Sequence, residues 1–198
     1  MITLGLTGGM GMGKSAAAAV FRRARIPVFD ADAAVHRLQA RGGQALPAIA
    51  AAFPGTVTGG VLNRAKLRDA VLSNPAALHR LEAILHPLVR AQQRRFLARA
   101  RAAGQPIAVL DIPLLFETGG DRLVDVVLVV SAPPDVQRAR VRARRSMTNA
   151  QIAAVLAKQM PDAEKCARGD FVIKTGLSRF HATRAIRRLI IALRTIPT

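Results

Sequence analysis

Residues Gly8 to Ser15 read GGMGMGKS and fit the pattern G-x-x-x-x-G-K-[ST]. The chemistry of that pattern is phosphate binding. Gly8, Gly9, Gly11 and Gly13, with Met10 and Met12 between them, let backbone amides turn toward one anion, and a helix starting near Gly13 adds its positive dipole end. Lys14 is placed to reach the β and γ phosphates of ATP, Ser15 to ligate Mg2+, and Ala16 closes the ATP-binding run. No Asn-Lys-x-Asp is present, which argues against a GTPase switch.

Phosphoryl transfer to an alcohol needs a carboxylate near the attacking hydroxyl, and the chain has only 12 acidic residues. Asp69, Glu82, Asp135, Asp162 and Glu164 sit in helical or helix-start settings, where capping or solvation is their expected work. Asp30, Asp32 and Asp111 instead fall at the carboxyl ends of expected strands, where open α/β sheets collect ligands. Asp32 is the candidate for accepting the proton of the substrate hydroxyl, and Asp30 is read as a helix cap. Asp111 reads either as a Walker-B carboxylate holding Mg2+, directly or through water, or as a strand-end cap.

Arg138, Arg140, Arg142, Arg144 and Arg145 crowd one helix end, with Arg140 and Arg144 on one face. They form either a solvated face or a lid that closes over ATP and stabilises charge on the transferring phosphoryl group. The four histidines share no metal-ligand spacing with Cys166.

Elements must hold these groups in place. Ile2 to Thr7 reads as a strand, Lys14 to Ala24 as a helix, Pro27 to Asp30 as a short strand and Ala33 to Ala40 as a helix. From about 42 to 104 no strand is evident, and helical pieces follow one another: Ala45 to Phe53, Arg64 to Leu72, Pro75 to Leu85 and Pro87 to Ala103, the third capped by Ser73 or Asn74. Strands at Ile107 to Asp111, Val124 to Ser131 and Phe171 to Ile173 alternate with helices at Pro134 to Arg144, Thr148 to Gln159 and Ser178 to Thr195. Apolar strands alternating with helices predict a parallel sheet covered on both faces, here with a helical insert and a mobile connection near Arg144 to Met147.

The 198 residues, 51% hydrophobic and 21% charged, are enough for one domain with its own core, and no apolar run approaches a membrane span. One cysteine and the absence of a secretory leader point to the cytoplasm. The net charge of +18, in which only five of the 30 basic residues are lysines, calls for an anionic partner. Dispersed arginines with no Trp or Tyr disfavour a nucleic-acid binder, which would interleave basic and stacking aromatic side chains.

Beyond the phosphate loop, the chain carries DAD at Asp30 to Asp32, LNR at Leu62 to Arg64, LEAILHP at Leu81 to Pro87 and DIPLLFE at Asp111 to Glu117. Gln137 with Arg140 and Arg144, then Gln159 and the D-x-V-I of Asp170 to Ile173 complete the series. In this order the sequence resembles the dephospho-CoA kinase family almost end to end. The resemblance implies an α/β P-loop kinase fold with a five-stranded parallel sheet. It also implies three parts: a nucleotide core (about 1–40 and 105–198), a helical acceptor-binding insert (about 41–104) and a lid (about 140–165). The implied reaction is ATP-dependent phosphorylation of the ribose 3′-hydroxyl of dephospho-CoA, with Asp32 as base and Arg140 as a lid arginine near ATP. Thr7, Asp32, Arg64, His86, Pro87, Leu114, Leu115 and Phe116 would lie on the acceptor side; a structural place at a helix boundary is the other reading of His86.

The chain departs from the family in three places. Ala16 stands where Ser or Thr is usual, Asn63 where Asp is usual, and Lys174, Thr175 and Gly176 occupy the Asn-x-Gly segment that the resemblance puts beside the adenine. The expected partners are ATP and dephospho-CoA, with no nucleic acid or membrane, on a monomer or weak homo-oligomer. Another small-molecule kinase of the same fold, acting on a nucleoside or nucleotide, is the alternative; a P-loop ATPase bound to nucleic acid ranks below it.

Overall fold

Strand β1 (Ile2–Thr7) is buried along its whole length, as is β5 (Ile107–Asp111), and β6 (Val126–Ser131) is buried through its middle four residues. Uninterrupted apolar runs of this kind suit strands covered on both faces. The computed structural model describes residues 1–72, 74–143 and 159–195. Among them the helices are α1 (Lys14–Arg23), α2 (Ala31–Leu38), α3 (Leu46–Ala52), α4 (Arg64–Leu72), α5 (Pro75–Ala102), α6 (Pro134–Arg142), α7 (Asp162–Arg168) and α8 (Arg179–Arg194). The remaining strands are β2 (Val28–Asp30), β3 (Val57–Thr58), β4 (Val61–Leu62) and β7 (Phe171–Lys174). The expected helix from Thr148 to Gln159 except its last residue, the connection from Arg144 to Met147 and most of the lid lie outside the described residues.

The chain divides into two compact units, Met1–Phe29 with Arg99–Thr198, and Asp30–Ala98. The first contains the five-stranded parallel sheet, in the order β2-β5-β1-β6-β7. Alternation along β1 sorts its side chains. Ile2, Leu4 and Leu6 join Phe21 of α1 and Ile186, Leu189, Ile190 and Leu193 of α8 in one cluster, while Leu115, Phe116, Val127 and Val129 form another. Gly5 belongs to the second surface: a Cβ there would stand 2.8 Å from a methyl of Leu115, so the absence of a side chain lets Leu115 seat against β1.

The second unit holds α2 to α4, the greater part of α5 and a core of Leu38, Leu46, Ile49, Phe53, Leu62, Leu67, Leu81 and Leu85. Two expectations are corrected here. A two-stranded hairpin, β3 with β4, lies where no strand was evident, closed by Gly59 and Gly60 at φ 59° and 72°. Both glycines occupy the left-handed region that a two-residue turn of this hand demands. The second correction joins two expected helices into one, α5, with Pro87 inside it. Proline deprives the Ala83 carbonyl of its helical partner. Ala83 and Pro87 are both exposed, so water can take that place while Leu81 and Leu85 hold the helix to the core.

Candidate active site

The phosphate loop leaves β1 at Thr7 and enters α1 at Lys14. Gly8, Gly11 and Gly13 have φ of 155°, 80° and 94°, conformations that side chains resist. At Gly8 a Cβ would also fall 2.6 Å from the Val130 carbonyl oxygen. The carbonyls of three successive loop residues are held by side chains from outside it. Gln137 Nε2 donates to Met10 O (2.8 Å), Arg140 Nη1 to Gly11 O (3.4 Å) and Thr175 Oγ1 to Met12 O (2.7 Å). Gln159 Oε1 accepts from the Met10 amide at 3.1 Å, and the buried Met12 sulfur accepts from the Ala132 amide. Gly13 is the N-cap of α1 and offers no side-chain cap. The first-turn amides of α1 are therefore left for an anion.

Lys14 pairs with Asp111 at 2.5 Å, its ammonium mostly buried and the carboxylate almost wholly so. Asp111 ends β5, beside β1 in the sheet, which brings a carboxylate to the mouth of the loop. Ser15 and Ala16 are exposed on the first turn of α1. The Ser15 hydroxyl and the Asp111 carboxylate are hard oxygen donors, the kind Mg2+ takes when phosphates and water complete its shell. No cluster of three or more metal-ligating side chains occurs among the described residues.

Arg140 is half-buried on α6, and its guanidinium is engaged with protein: Nη2 donates to Thr175 O (2.7 Å) and Nη1 to Thr175 Oγ1 (3.0 Å), besides Gly11 O. Thr175, one of the departures noted above, thus links Arg140 to the phosphate loop, and its amide donates to Ser131 O at 2.7 Å. Arg144 lies outside the described residues.

Loop 113–117 follows Asp111. Leu115 and Phe116 point into the core, whereas Leu114 is exposed, so Leu114 alone of the three offers its side chain to solvent. Thr7 is buried and donates to Pro113 O (3.0 Å). Lys165 of α7 is wholly buried, bonding Glu117 Oε1 at 2.8 Å and Pro113 O at 3.3 Å. Burial pushes the Glu117 carboxyl upward, but the Lys165 ammonium and the Met160 amide outweigh it and leave the group below its ordinary range. Burial, with Asp162 beside it, pushes the Cys166 thiol up, away from the reactive thiolate.

On the second unit, Asp30 caps α2, its carboxylate accepting from the Ala33 amide at 2.9 Å, as read from the sequence. Asp32 is exposed in the first turn of α2. Arg64, at the start of α4, and His86 and Pro87, within α5, are exposed as well. Asn63 serves where Asp is usual: its Oδ1 accepts from the Lys66 amide at 3.0 Å. Sequence reasoning missed the loop-holding work of Thr175 and the buried place of Lys165. Both are polar residues in segments rich in other polar residues, and only the fold shows that they turn inward.

The family model for dephospho-CoA kinase matches residues 2–178. The chain belongs to the dephospho-CoA kinase family. It is 57% identical over 194 residues to the dephospho-CoA kinase of Mesorhizobium japonicum, covering 98% of both chains. It is 50% identical over 197 residues to that of Rhodopseudomonas palustris, covering 100% of this chain and 98% of the relative. Among solved structures, a Thermus thermophilus protein shares 36% identity at a TM-score of 0.84, with 97% of each chain covered. A shikimate kinase of Acinetobacter baumannii, 14% identical at a TM-score of 0.53 over 99% of this chain and 96% of its own, shares the fold alone. Family membership makes the chain a P-loop kinase.

Proposed function

We infer that the chain transfers the γ-phosphoryl group of ATP to the ribose 3′-hydroxyl of dephospho-CoA, giving CoA and ADP, the last step of CoA synthesis. The observation that carries this reading is the family match over residues 2–178, together with a phosphate loop built between β1 and α1. In our reading the glycine loop cradles the phosphates with its amides, and the dipole end of α1 adds to their binding. Lys14, paired with Asp111 in this structure, shares its charge with the β and γ phosphates once they arrive. Ser15 and Asp111 would hold Mg2+, which neutralises charge between those phosphates. Asp32 takes the proton from the acceptor hydroxyl as it attacks.

We propose Asp32, Arg64, His86 and Pro87 of the second unit and, separately, loop 113–117 of the first as residues that bind the acceptor, and the cytoplasm as the place of the reaction. Arg64 supports the first assignment. A cation at a helix N-terminus opposes the dipole, so its place at the head of α4 serves an anionic ligand better than it serves the helix. Arg140 completes the nucleotide side, and the segment from about 140 to 165 is proposed as the lid. A coupled ADP assay against a panel of acceptors tests the reading. Dephospho-CoA is expected to drive turnover far above shikimate, nucleosides or nucleotides; ADP release no higher than with ATP alone would overturn it.

A further inference from the structure

A lysine with no exposed surface is a costly choice for packing alone, since an apolar side chain of its size would need no ion partner. Lys165 is such a lysine, and it bonds to Glu117 Oε1 and Pro113 O, both in loop 113–117. The same two acceptors are held again from other directions. Thr7 Oγ1, at the end of the strand leading into the phosphate loop, donates to Pro113 O at 3.0 Å, and the Met160 amide donates to Glu117 Oε1 at 2.8 Å. Immediately before Met160, Gln159 accepts from the Met10 amide of the phosphate loop. Arg168, one turn beyond Lys165 in α7, lies 4.6 Å from the centre of the Phe116 ring and pairs with Asp121 at 3.2 Å. Pro113, Phe116 and Glu117 are thus fixed, while Leu114 among them stays exposed.

We propose that Lys165 is a positioning residue for the acceptor: through Pro113 O and Glu117 it sets loop 113–117 in fixed register with the phosphate loop, which Gln159 holds from the same segment. The proposal rests on the reading of loop 113–117 as part of the dephospho-CoA site. Lys165 touches no reacting atom; its effect reaches the acceptor through the loop. Loss of its ammonium therefore raises the KM for dephospho-CoA and spares ATP.

The test compares the unmodified chain with K165M and with the doubly substituted E117Q/K165M. In the second, the side-chain amide oxygen introduced at position 117 can still accept from the Met160 amide, and no unpaired carboxylate is left behind. The expected result is a KM for dephospho-CoA raised by about tenfold or more in both, with the KM for ATP changed by less than about twofold. Melting of the double variant should return close to that of the unmodified chain while its acceptor KM stays high, a split that a purely structural role does not produce. A double variant that recovers both melting and acceptor KM, or that cannot fold, overturns the positioning role. If the unmodified chain itself forms no ADP with dephospho-CoA, it is the functional reading that fails.

Discussion

In the proposed mechanism Lys14 and Asp32 carry separate parts of the reaction, and their loss should be separable. Lys14→Ala removes the charge that meets the transferring phosphoryl group, and kcat should fall on the order of 10²–10³-fold, the usual loss when one preorganised electrostatic donor is deleted. Asp32→Asn keeps the exposed side chain's shape but not its proton acceptor, so kcat should fall by about 10²–10⁴-fold while ATP binding, measured by calorimetry, stays near its normal value. Unchanged turnover in Asp32→Asn would remove Asp32 from the mechanism. Glu117 gives a pH prediction. Its native carboxyl titrates below the ordinary range, held by Lys165 and the Met160 amide against its burial. Its ion pair therefore stabilises the fold fully above the ordinary glutamate range and is lost as pH falls through the lower native value. Melting curves of Glu117→Gln should show a shallower acid loss than those of the unmodified chain.

The elements around the phosphate loop act on its shape. Gly8→Ala would force a left-handed φ on alanine and press a methyl against the Val130 carbonyl, so both melting temperature and ATP affinity should drop together. Thr175→Val leaves the Met12 carbonyl without its donor and takes one acceptor from Arg140. The cost of such an orphaned group is about 1–3 kcal/mol, and ATP affinity should weaken more than dephospho-CoA affinity. Much of this architecture was legible in the sequence. The strands beside the loop are continuous apolar runs, the loop itself is a glycine pattern, and Asp30 is a capping residue at a strand-helix junction. The hairpin around Gly59 and Gly60 was missed because its strands are two residues long, too short to display alternation, although the Gly-Gly pair is itself a turn signal. Pro87 misled for the opposite reason: it is a strong local stop signal, overridden by the packing of Leu81 and Leu85 and by an exposed face that can hydrate. The inward turn of Lys165 and Thr175 depends on contacts between distant segments and has no local pattern.

For the molecule as a whole, the charge of +18 acquires a partial account. Lys14 and Arg140 stand at the phosphate loop, Lys165 is consumed internally, and arginines such as Arg90, Arg94, Arg187 and Arg188 are exposed on α5 and α8. No helix among the described residues is long and apolar enough to cross a membrane. A surplus of exposed cations draws in substrates that carry several phosphates, and that attraction is screened as the Debye length shrinks from about 30 Å at 0.01 M salt to about 8 Å at 0.15 M. The kcat/KM for dephospho-CoA should therefore fall severalfold across that range while kcat holds; a flat profile would mean that the surface charge takes no part in capture.

The central claim concerns where the phosphoryl group goes, and analysis of the product tests it most directly. After incubation with Mg·ATP and dephospho-CoA, mass spectrometry and phosphorus NMR should find the acceptor carrying one new phosphomonoester on the ribose 3′-oxygen, formed in step with ADP. ADP without a phosphorylated acceptor, or a phosphate on any other oxygen, would contradict it.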